Sequence, residues 1–456
     1  MSPQPVDRES PFGIEELFFS TTDVKGIIRA SNEVFVRVSG YPRERLDGQA
    51  HNVIRHPDMP RAIFRLFWDT LREGRPIAAY VKNMAADGSY YWVMASAVPV
   101  ANGYLSVRLK PTGPGLEAAK RLYKRLRAVE LEVEGGDVRK RKPSIEASLA
   151  LLPELLEAEG FSSYDAFMHE ALPAEVTARE ALLGGAGVRE RLGPQPVDAD
   201  PTLLAVLTDC ARTHDFLDGL VANLEQYSAL SRTLEGRSHF VLELAEAIRL
   251  FALNALLAAS RLGDEGVALS AVAGLMGVRS DSAGPIIQAL ERDIAGAVSV
   301  LGDMGFRIAA TKLQTETLMH FVDELLRDDA IDAHVAAELG TLADSMADGT
   351  ERLLASLATL DTHLGDVLRH AAALGADLEQ LRALQVNGRI EAARTTASGD
   401  VQRLFETIGE QVMAARAEMG GFDAVAAVAG TRDGRAEAQV RHDLDAVREH
   451  VLALAA

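Results

Sequence analysis

The pattern of apolar and polar positions divides the 456-residue chain into two parts. In the first part, short runs of β-branched and aromatic residues alternate with turn signals, as in antiparallel sheets. The runs YYWVMASAVPV (90–100) and GYLSVRL (103–109) flank Ala101-Asn102 and predict a hairpin. The run AAYVKNMA precedes Asp87-Gly88 and predicts a third strand of the same meander.

Strand and helix signals further upstream complete a predicted α+β domain. TTDVKGIIRAS (21–31) predicts two short strands around Lys25-Gly26. PRAIFRLFWDTLREG (60–74) predicts a helix with Pro60 near its start and Gly74 after its end. The predicted order is therefore strands, helices and then a three-stranded meander.

After Pro111 the pattern is helical. The segment 115–134 predicts an amphipathic helix, VRKRKPS (138–144) a solvated basic loop, and GPQPVDADP (193–201) a Pro-rich linker. From about residue 202, apolar residues recur in steps of three and four, which predicts long helices packed as a bundle or coiled coil. One such series is Leu360, Leu364, Val367, Ala371, Leu374, Leu378 and Leu381.

Glycine and proline within this helical region are expected to interrupt or bend it, at Gly236 and Pro285 in particular. The predicted fold class is multidomain, with an α+β domain followed by an all-α region of the coiled-coil or four-helix-bundle type. The predicted boundaries are 13–112 for the α+β domain, 113–200 for a helical connector and 201–456 for the bundle.

An internal repeat lies within the helical region. NALLAASR (254–261) and NGRIEAAR (387–394) share Asn and Arg seven positions apart, at an offset of 133 residues. We interpret the two copies as hairpin tips near 263 and 397, joined by two arms of about 65 residues each. Equal arms return the chain to the same end, so one chain would supply all four helices of a bundle. A chance match of alanine-rich helices is the alternative.

Composition narrows the function classes. A formal charge of −19 disfavours nucleic acid and anionic membranes as main partners, and no apolar run is long enough to predict a membrane span. The single cysteine, Cys210, fits an apolar helix face, and the polar N-terminus does not resemble a signal peptide. We therefore expect a cytoplasmic protein. No phosphate-binding loop, nucleophile elbow or paired-cysteine metal site is found, so we expect no enzyme.

The segment HNVIRHPDMP (51–60) concentrates more chemistry than a connecting loop needs. With NEVFVRVSGYPRERLDGQA before it and FWDTLREGRP, VKN, DGSYYWV and AVPV after it, this region resembles the PAS sensor fold. Within that fold it resembles the flavin-binding PAS domain of bacterial aerotaxis receptors, over about 20–110. The resemblance implies FAD in the PAS cavity, with a redox state that reports on oxygen or respiratory energy. It implies flavin contacts at Arg55, His56, Asp58, Trp68 and Asn83.

These residue types suit a flavin. Asn83 offers an amide that can donate to and accept from a uracil-like edge, and Arg55 and His56 suit an anion. Trp68 offers a flat apolar wall. The chain departs from the family at Ile77, where the family has a tryptophan, and losing an aromatic wall is expected to weaken FAD binding. A cavity without cofactor that serves protein docking, or a haem with His51 or His56 as ligand, remain open.

The helical half resembles the cytoplasmic signalling domain of chemoreceptors, the methyl-accepting chemotaxis proteins. FALNALLAASRLGDEGVALSAVA (251–273) follows the pattern of their hairpin tip, with Ala258 where the family has Glu. In that family the tip docks a histidine kinase and its coupling protein. The resemblance implies docking positions at Asn254, Arg261, Asn387, Glu391 and Arg394.

The resulting hypothesis is a soluble cytoplasmic sensor of redox, oxygen or energy state, in which the PAS domain acts on a helical output bundle. Its partners would be a chemotaxis-type kinase with its coupling protein, or another signalling protein, and a homodimer through either region is possible. The alternative function is a cofactor-free interaction or scaffold protein that docks signalling partners.

Overall fold

The computed structural model describes residues 3–184, 187–327, 333–394, 399–420, 422, 425 and 434–454. Side chains are described for these residues except 238–249, 251, 252, 333, 399, 400 and 418. The chain forms two compact units. The first comprises Met1–Leu224, Met304–Leu353 and Gly434–Ala456, and the second Glu225–Asp303 and Leu354–Asp433. The three domain boundaries taken from the sequence stay a prediction.

Five antiparallel strands form the sheet of the N-terminal domain, in the order β2-β1-β5-β4-β3. Their bounds are β1 Phe18–Asp23, β2 Ile28–Ser31, β3 Ile77–Met84, β4 Tyr90–Val100 and β5 Gly103–Leu109. The predicted hairpin and meander are confirmed, with Val100 paired with Gly103 across the turn. Since successive side chains point to opposite faces of a sheet, each strand offers one row of side chains to the inner face, which the helices after β2 cover, and one row to the outer face.

Three short helices cover the inner face of this sheet: α1 Glu33–Ser39, α2 Arg43–Leu46 and α3 Arg61–Arg72, with a 3-10 turn at His51–Ile54 between the last two. The Asn32 side chain begins α1 by accepting from the Phe35 amide. The helix α3 begins directly after Pro60, at a position where a missing amide hydrogen costs no helical hydrogen bond. It confirms the helix predicted over 60–74.

The connector consists of α4 Gly115–Glu134, α5 Arg141–Ala158, α6 Tyr164–Leu182 and α7 Val188–Leu192. The solvated loop predicted over 138–144 is wrong, because a 3-10 turn at Val138–Lys140 leads directly into α5. Pro143 lies in the first turn of α5, where a missing amide hydrogen costs no helical hydrogen bond. Residues 193–200 have no regular structure, as the Pro-rich composition predicted.

Long helices make up the rest of the chain. They are α8 Pro201–Ala222, α9 Leu224–Ser260, α10 Val267–Arg327, α11 Ala333–Arg394, α12 Gly399–Gly420 and α13 Gly434–Leu454. The helices α9 and α10 continue through Gly236 and Pro285 without ending there. Around Pro285 the buried side chains of Ala283 and Ile287 keep the apolar stripe continuous. The predicted tip near 397 lies outside the described residues.

The helices α10 and α11 run antiparallel. In the second unit, His370 Nδ1 lies 2.7 Å from Asp293 Oδ2, and Gly296 faces the ring of His363. In the first unit, Gly349 faces Thr311, which fits the same antiparallel register. Extended to the helix ends, this register brings the turn and 3-10 segment at 261–266 level with the end of α11 at Arg394.

Heptad positions form the core of the helical region. The predicted series from Leu360 to Leu381 is buried throughout, and Cys210 is fully buried in α8. Among the described residues, the helical stretch Gly263–Arg327 is the one that is long and apolar enough to cross a membrane. Half of its most apolar window is buried inside the protein, and core helices share this composition.

Spin labels on Arg261 and Arg394 in one chain test the antiparallel register. Neighbouring helix axes lie about 8–10 Å apart, so we expect a label separation of no more than about 30 Å. The arms are 61 and 62 residues long, which corresponds to roughly 90 Å. A separation above about 45 Å, measured by pulsed electron paramagnetic resonance, would contradict the register.

Candidate functional site

A cavity lies between the inner face of the sheet and α3. The space between its lining atoms, together with open solvent at its mouth, amounts to about 570 Å³. Strand alternation selects its lining, because Ala79, Val81 and Asn83 of β3 point inward while Tyr80 and Lys82 do not. Its other lining residues are Ser20, Thr22, His51, Ile63, Phe64, Phe67, Trp68, Leu71, Ala95, Ala97, Tyr104, Ser106 and Arg108.

One side of the cavity is an aromatic wall. The rings of Trp68 and Tyr104 meet edge to face with centroids 5.5 Å apart, and Phe67 contacts Trp68 in the same way at 5.9 Å. The sheet side of the cavity carries the small side chains of Ala79, Ala95 and Ala97, across from Phe67 and Trp68 of α3, which leaves a slot between the sheet and this helix. A slot between aromatic and small apolar side chains is suited to a flat ring system.

The end of the cavity holds a buried cation. Arg108 donates from Nη2 to Ser20 Oγ at 3.0 Å and to His51 Nε2 at 2.6 Å. Burial, together with the Arg108 cation, lowers the pKa of His51 to about 3, so His51 is the neutral acceptor of this pair. Burial lowers the pKa of Arg108 to about 10, which leaves it charged at neutral pH. None of the residues lining the cavity is Asp or Glu.

Four buried polar atoms of the lining have no hydrogen-bond partner. They are Asn83 Nδ2, Arg108 Nη1, Thr22 Oγ1 and Ser106 Oγ. Buried polar groups are almost always paired, and an unpaired one costs on the order of 1–3 kcal/mol. Two donors and two hydroxyls facing one apolar cavity therefore suit a ligand that combines carbonyl-type acceptors with an apolar body.

In the segment HNVIRHPDMP, one part lines the cavity and the other holds the loop in place. Its first histidine, His51, enters the cavity, whereas His56 is turned away and accepts at Nδ1 from the Asp58 amide at 3.2 Å. Asp58 accepts from Lys82 Nζ at 2.7 Å, which ties the loop to the end of β3. Arg55 stacks on Phe64 at 4.3 Å and donates to the Met59 carbonyl. The second half of the segment thus fixes the loop.

A basic groove leads out of the mouth of the cavity. It shares His51, Phe64, Trp68 and Asn83 with the cavity, and no carboxylate belongs to its lining. Its cationic lining residues are Lys25, Arg55, Arg61, Arg65 and Arg72. Two carboxylates that do not line the groove pair with some of these cations. Asp69 pairs with Arg65 and Arg72, and Glu134 pairs with Arg61. On a chain of formal charge −19, this groove is a local concentration of cationic side chains, which suits an anionic group.

The sequence-predicted contacts are distributed unevenly over this site. Trp68 and Asn83 line the cavity and Arg55 lines the groove, whereas His56 and Asp58 line neither. Sequence reasoning missed Arg108, Thr22 and Ser106 as lining residues. The alternation of side chains along β1 and β5, which turns every second residue toward the cavity, was the signal that could have identified them. Ile77, the departure from the family pattern, begins β3 as a buried residue outside the lining.

The five predicted docking positions lie near the ends of the second-unit helices. Asn254, Arg261, Asn387 and Arg394 are exposed, and Glu391 accepts from Arg394 at 3.0 Å. Large apolar side chains are exposed beside them at Leu253, Leu256, Leu257, Val386 and Ile390.

The buried pair of His51 and Arg108 predicts a pH dependence of stability in the ligand-free protein. Below pH 6.5 the unfolded chain protonates His51 and the folded chain does not until about pH 3, so stability falls as pH falls. From pH 7 to 5, wild type should lose about 1–2 kcal/mol more than His51→Gln, which keeps the acceptor. Urea unfolding followed by tryptophan fluorescence measures this, since Trp68 and Trp92 both lie in this domain. An equal loss in both proteins would contradict a neutral His51.

Comparison with known proteins agrees with this architecture. Residues 28–106 match the family model of the PAS fold. The aerotaxis receptor of Escherichia coli K12 is 41% identical over 131 residues, which are 28% of this chain and 26% of the receptor. The nitrogen fixation regulatory protein of Klebsiella pneumoniae is 32% identical over 83 residues, or 18% of this chain and 17% of that protein. The chain therefore matches no more than about a quarter of the length of these relatives.

Solved structures with a similar chain course include two LOV proteins. The Rhodobacter sphaeroides LOV protein aligns with 34% of this chain and 91% of its own, at 18% identity and a TM-score of 0.21. A fungal LOV domain photoreceptor aligns with 24% of this chain and 81% of its own, at 16% identity and a TM-score of 0.18. The N-terminal domain of this chain is a PAS domain similar to the aerotaxis receptor, and the helical region after it is consistent with a chemoreceptor-like signalling domain.

Proposed function

We propose that this protein is a cytoplasmic redox or energy-state sensor that binds FAD in its PAS cavity and acts through its helical region. The observation that carries the proposal is the cavity itself. Asn83 Nδ2 and Arg108 Nη1 are buried donors without partners, and they face a slot walled by Trp68. An isoalloxazine ring has the flat apolar body and the carbonyl edge that this combination fits.

The residues of the site have separate tasks in this proposal. The ring of Trp68 would pack on a flat ring, and the Asn83 amide would donate to a ring carbonyl and fix its orientation. Arg108 would keep a positive charge near the ring, which favours electron-rich forms of whatever it contacts. The basic groove would hold a pyrophosphate through residues such as Arg55 and Arg65. FAD, when bound, supplies the reversible uptake of electrons.

Haem is the less favourable occupant of this cavity. His51 Nε2 already accepts from Arg108 at 2.6 Å, and an axial ligand needs that lone pair free. His56 does not line the cavity, and its Nδ1 accepts from the Asp58 amide. A cavity without any cofactor would leave the four unpaired polar atoms to ordered water alone.

The output of the sensor is proposed to be a signalling partner docked near the turn at 261–266. Exposed cations, Arg261 and Arg394, lie beside exposed leucines there. Such a mixture of arginine and apolar side chains is typical of protein-binding surfaces. The similarity to an aerotaxis receptor supports a partner of the chemotaxis-kinase and coupling-protein type.

The absorbance spectrum of the purified protein tests the cofactor. We expect flavin bands near about 450 nm, whereas a Soret band would indicate haem. Asn83→Ala should reduce flavin per chain several-fold, because the ring loses its buried amide partner. Asn387→Ala, the same change at an exposed position of α11, should leave occupancy unchanged. Equal flavin content in both variants would contradict the site.

A binding assay tests the partner. Arg261→Ala combined with Arg394→Ala should weaken capture of a chemotaxis kinase with its coupling protein by about tenfold or more, as loss of arginine contacts at an interface does. Arg232→Ala, which removes an exposed arginine near the start of α9, is the matched control. Unchanged capture by the double variant would place the docking surface elsewhere.

A further inference from the structure

A carboxylate with no solvent exposure links the sheet to the connector. Glu175 of α6 accepts from the Tyr80 hydroxyl at 2.7 Å through Oε1. Its Oε2 accepts from the amides of Thr112 and Gly113 at 2.6 Å and 2.8 Å. One side chain thus joins strand β3, the segment by which the chain leaves the sheet, and α6.

Two glycines allow this close approach. A Cβ at Gly115 would overlap the Tyr80 hydroxyl, and one at Gly113 would lie 3.0 Å from Glu175 Oε1. Neither glycine has a positive φ, so the requirement comes from space and not from backbone conformation. The PTGPG sequence at 111–115 is therefore shaped for contact with Tyr80 and Glu175.

One turn further along, α6 is bound to α10. Arg179 donates from Nη1 and Nη2 to the two carboxylate oxygens of Glu316, each at 2.8 Å. Both side chains are fully buried, and although burial opposes it, Arg179 holds the pKa of Glu316 well below its usual range. The neighbouring Glu180 pairs with the buried Lys312 at 2.5 Å. These are bonds within the first compact unit.

The two bonded positions lie on one face of a single helix. Residues four apart in an α-helix are stacked above each other, so Glu175 and Arg179 move together when α6 moves. Contacts of His169 with Phe306 and of Pro173 with Gly305 continue this packing, so α6 lies parallel to α10. The helix α6 is therefore a rigid element that contacts the sheet through Glu175 and α10 through Arg179.

The sheet contact begins at the cavity. Tyr80 stands between Ala79 and Val81, which line the cavity, and its own side chain points to the opposite face. A displacement of β3 by a change in the bound group would move the Tyr80 hydroxyl, and short hydrogen bonds would pass that movement to α6.

We propose that Tyr80, Glu175 and Arg179 form the connection through which the state of the PAS cavity reaches α10. This inference rests on the proposed function, since it requires a bound group whose state changes. It assigns the connector helix α6 the role of coupling, and Glu175 and Arg179 are positioning residues that touch no ligand.

Hydrogen exchange of the full-length protein tests the connection. Deuterium uptake of residues 304–320 is compared between oxidised and dithionite-reduced protein, with flavin content measured in parallel. Wild type should show a redox-dependent difference in this segment. Tyr80→Phe, which removes one hydroxyl, should keep the flavin and reduce that difference at least twofold. Gly115→Ala should act in the same way, because its methyl group displaces the hydroxyl.

Two controls separate coupling from stability. Tyr123→Phe removes another buried hydroxyl, which contacts Tyr164 on α6 at 3.2 Å, and Gly219→Ala adds a methyl group in open space. Both should keep the wild-type difference. A purely structural role of Tyr80 would raise uptake equally in both redox states and leave the difference intact.

The outcomes distinguish this inference from the function on which it rests. A flavin-free wild type would overturn the proposed function and with it the connection. A redox-dependent difference that survives in Tyr80→Phe overturns the connection alone. Thr21→Val removes the hydrogen bond of β1 to Glu338. If the redox-dependent difference in deuterium uptake is lost in Thr21→Val but kept in Tyr80→Phe, the connection lies at β1. That result would likewise overturn the route through α6.

Discussion

A guanidinium buried without a carboxylate partner is the constraint on which the N-terminal domain depends. Removing a charge from water is costly unless other groups compensate it. The partners of Arg108, which are Ser20, His51 and the ring of Phe35 at 5.4 Å, are all neutral, and its Nη1 has no hydrogen-bond partner. The sheet can hold such a group only if the cavity has an electron-rich occupant or if packing energy elsewhere compensates the cost. The aromatic wall, the unpaired amide of Asn83 and the basic mouth all favour an occupant.

The alternation of side chains in a pleated sheet connects this cavity to the rest of the first unit. Inward residues of β1 and β3 face the cavity, and their neighbours face helices. Phe19 meets Phe321 of α10 with ring centroids 5.1 Å apart, and Thr21 donates to Glu338 of α11 at 2.6 Å. Tyr80 reaches α6 through Glu175. Through these contacts a displacement of β1 or β3 would act directly on α6, α10 and α11.

The sequence predicted those features that have a strong local period. The meander, the helix after Pro60 and the heptad stripe from Leu360 to Leu381 follow from such patterns. Within HNVIRHPDMP it could not tell which histidine enters the cavity, since that depends on how the loop closes on Lys82. Arg108 was missed because only the alternation of side chains along β5 places it inside, and a charged residue is usually expected to face solvent. The loop predicted at 138–144 failed because Pro143 falls within the first turn of a helix, where proline is tolerated.

We propose that the PAS cavity binds a flavin through its buried donors. Titration of cofactor-free protein with FAD, followed by quenching of flavin fluorescence, measures this binding. We expect saturation at one FAD per chain, weaker binding by Arg108→Gln, and weaker binding of riboflavin, which lacks the pyrophosphate for the basic groove. Absence of saturable binding by correctly folded wild type would contradict it.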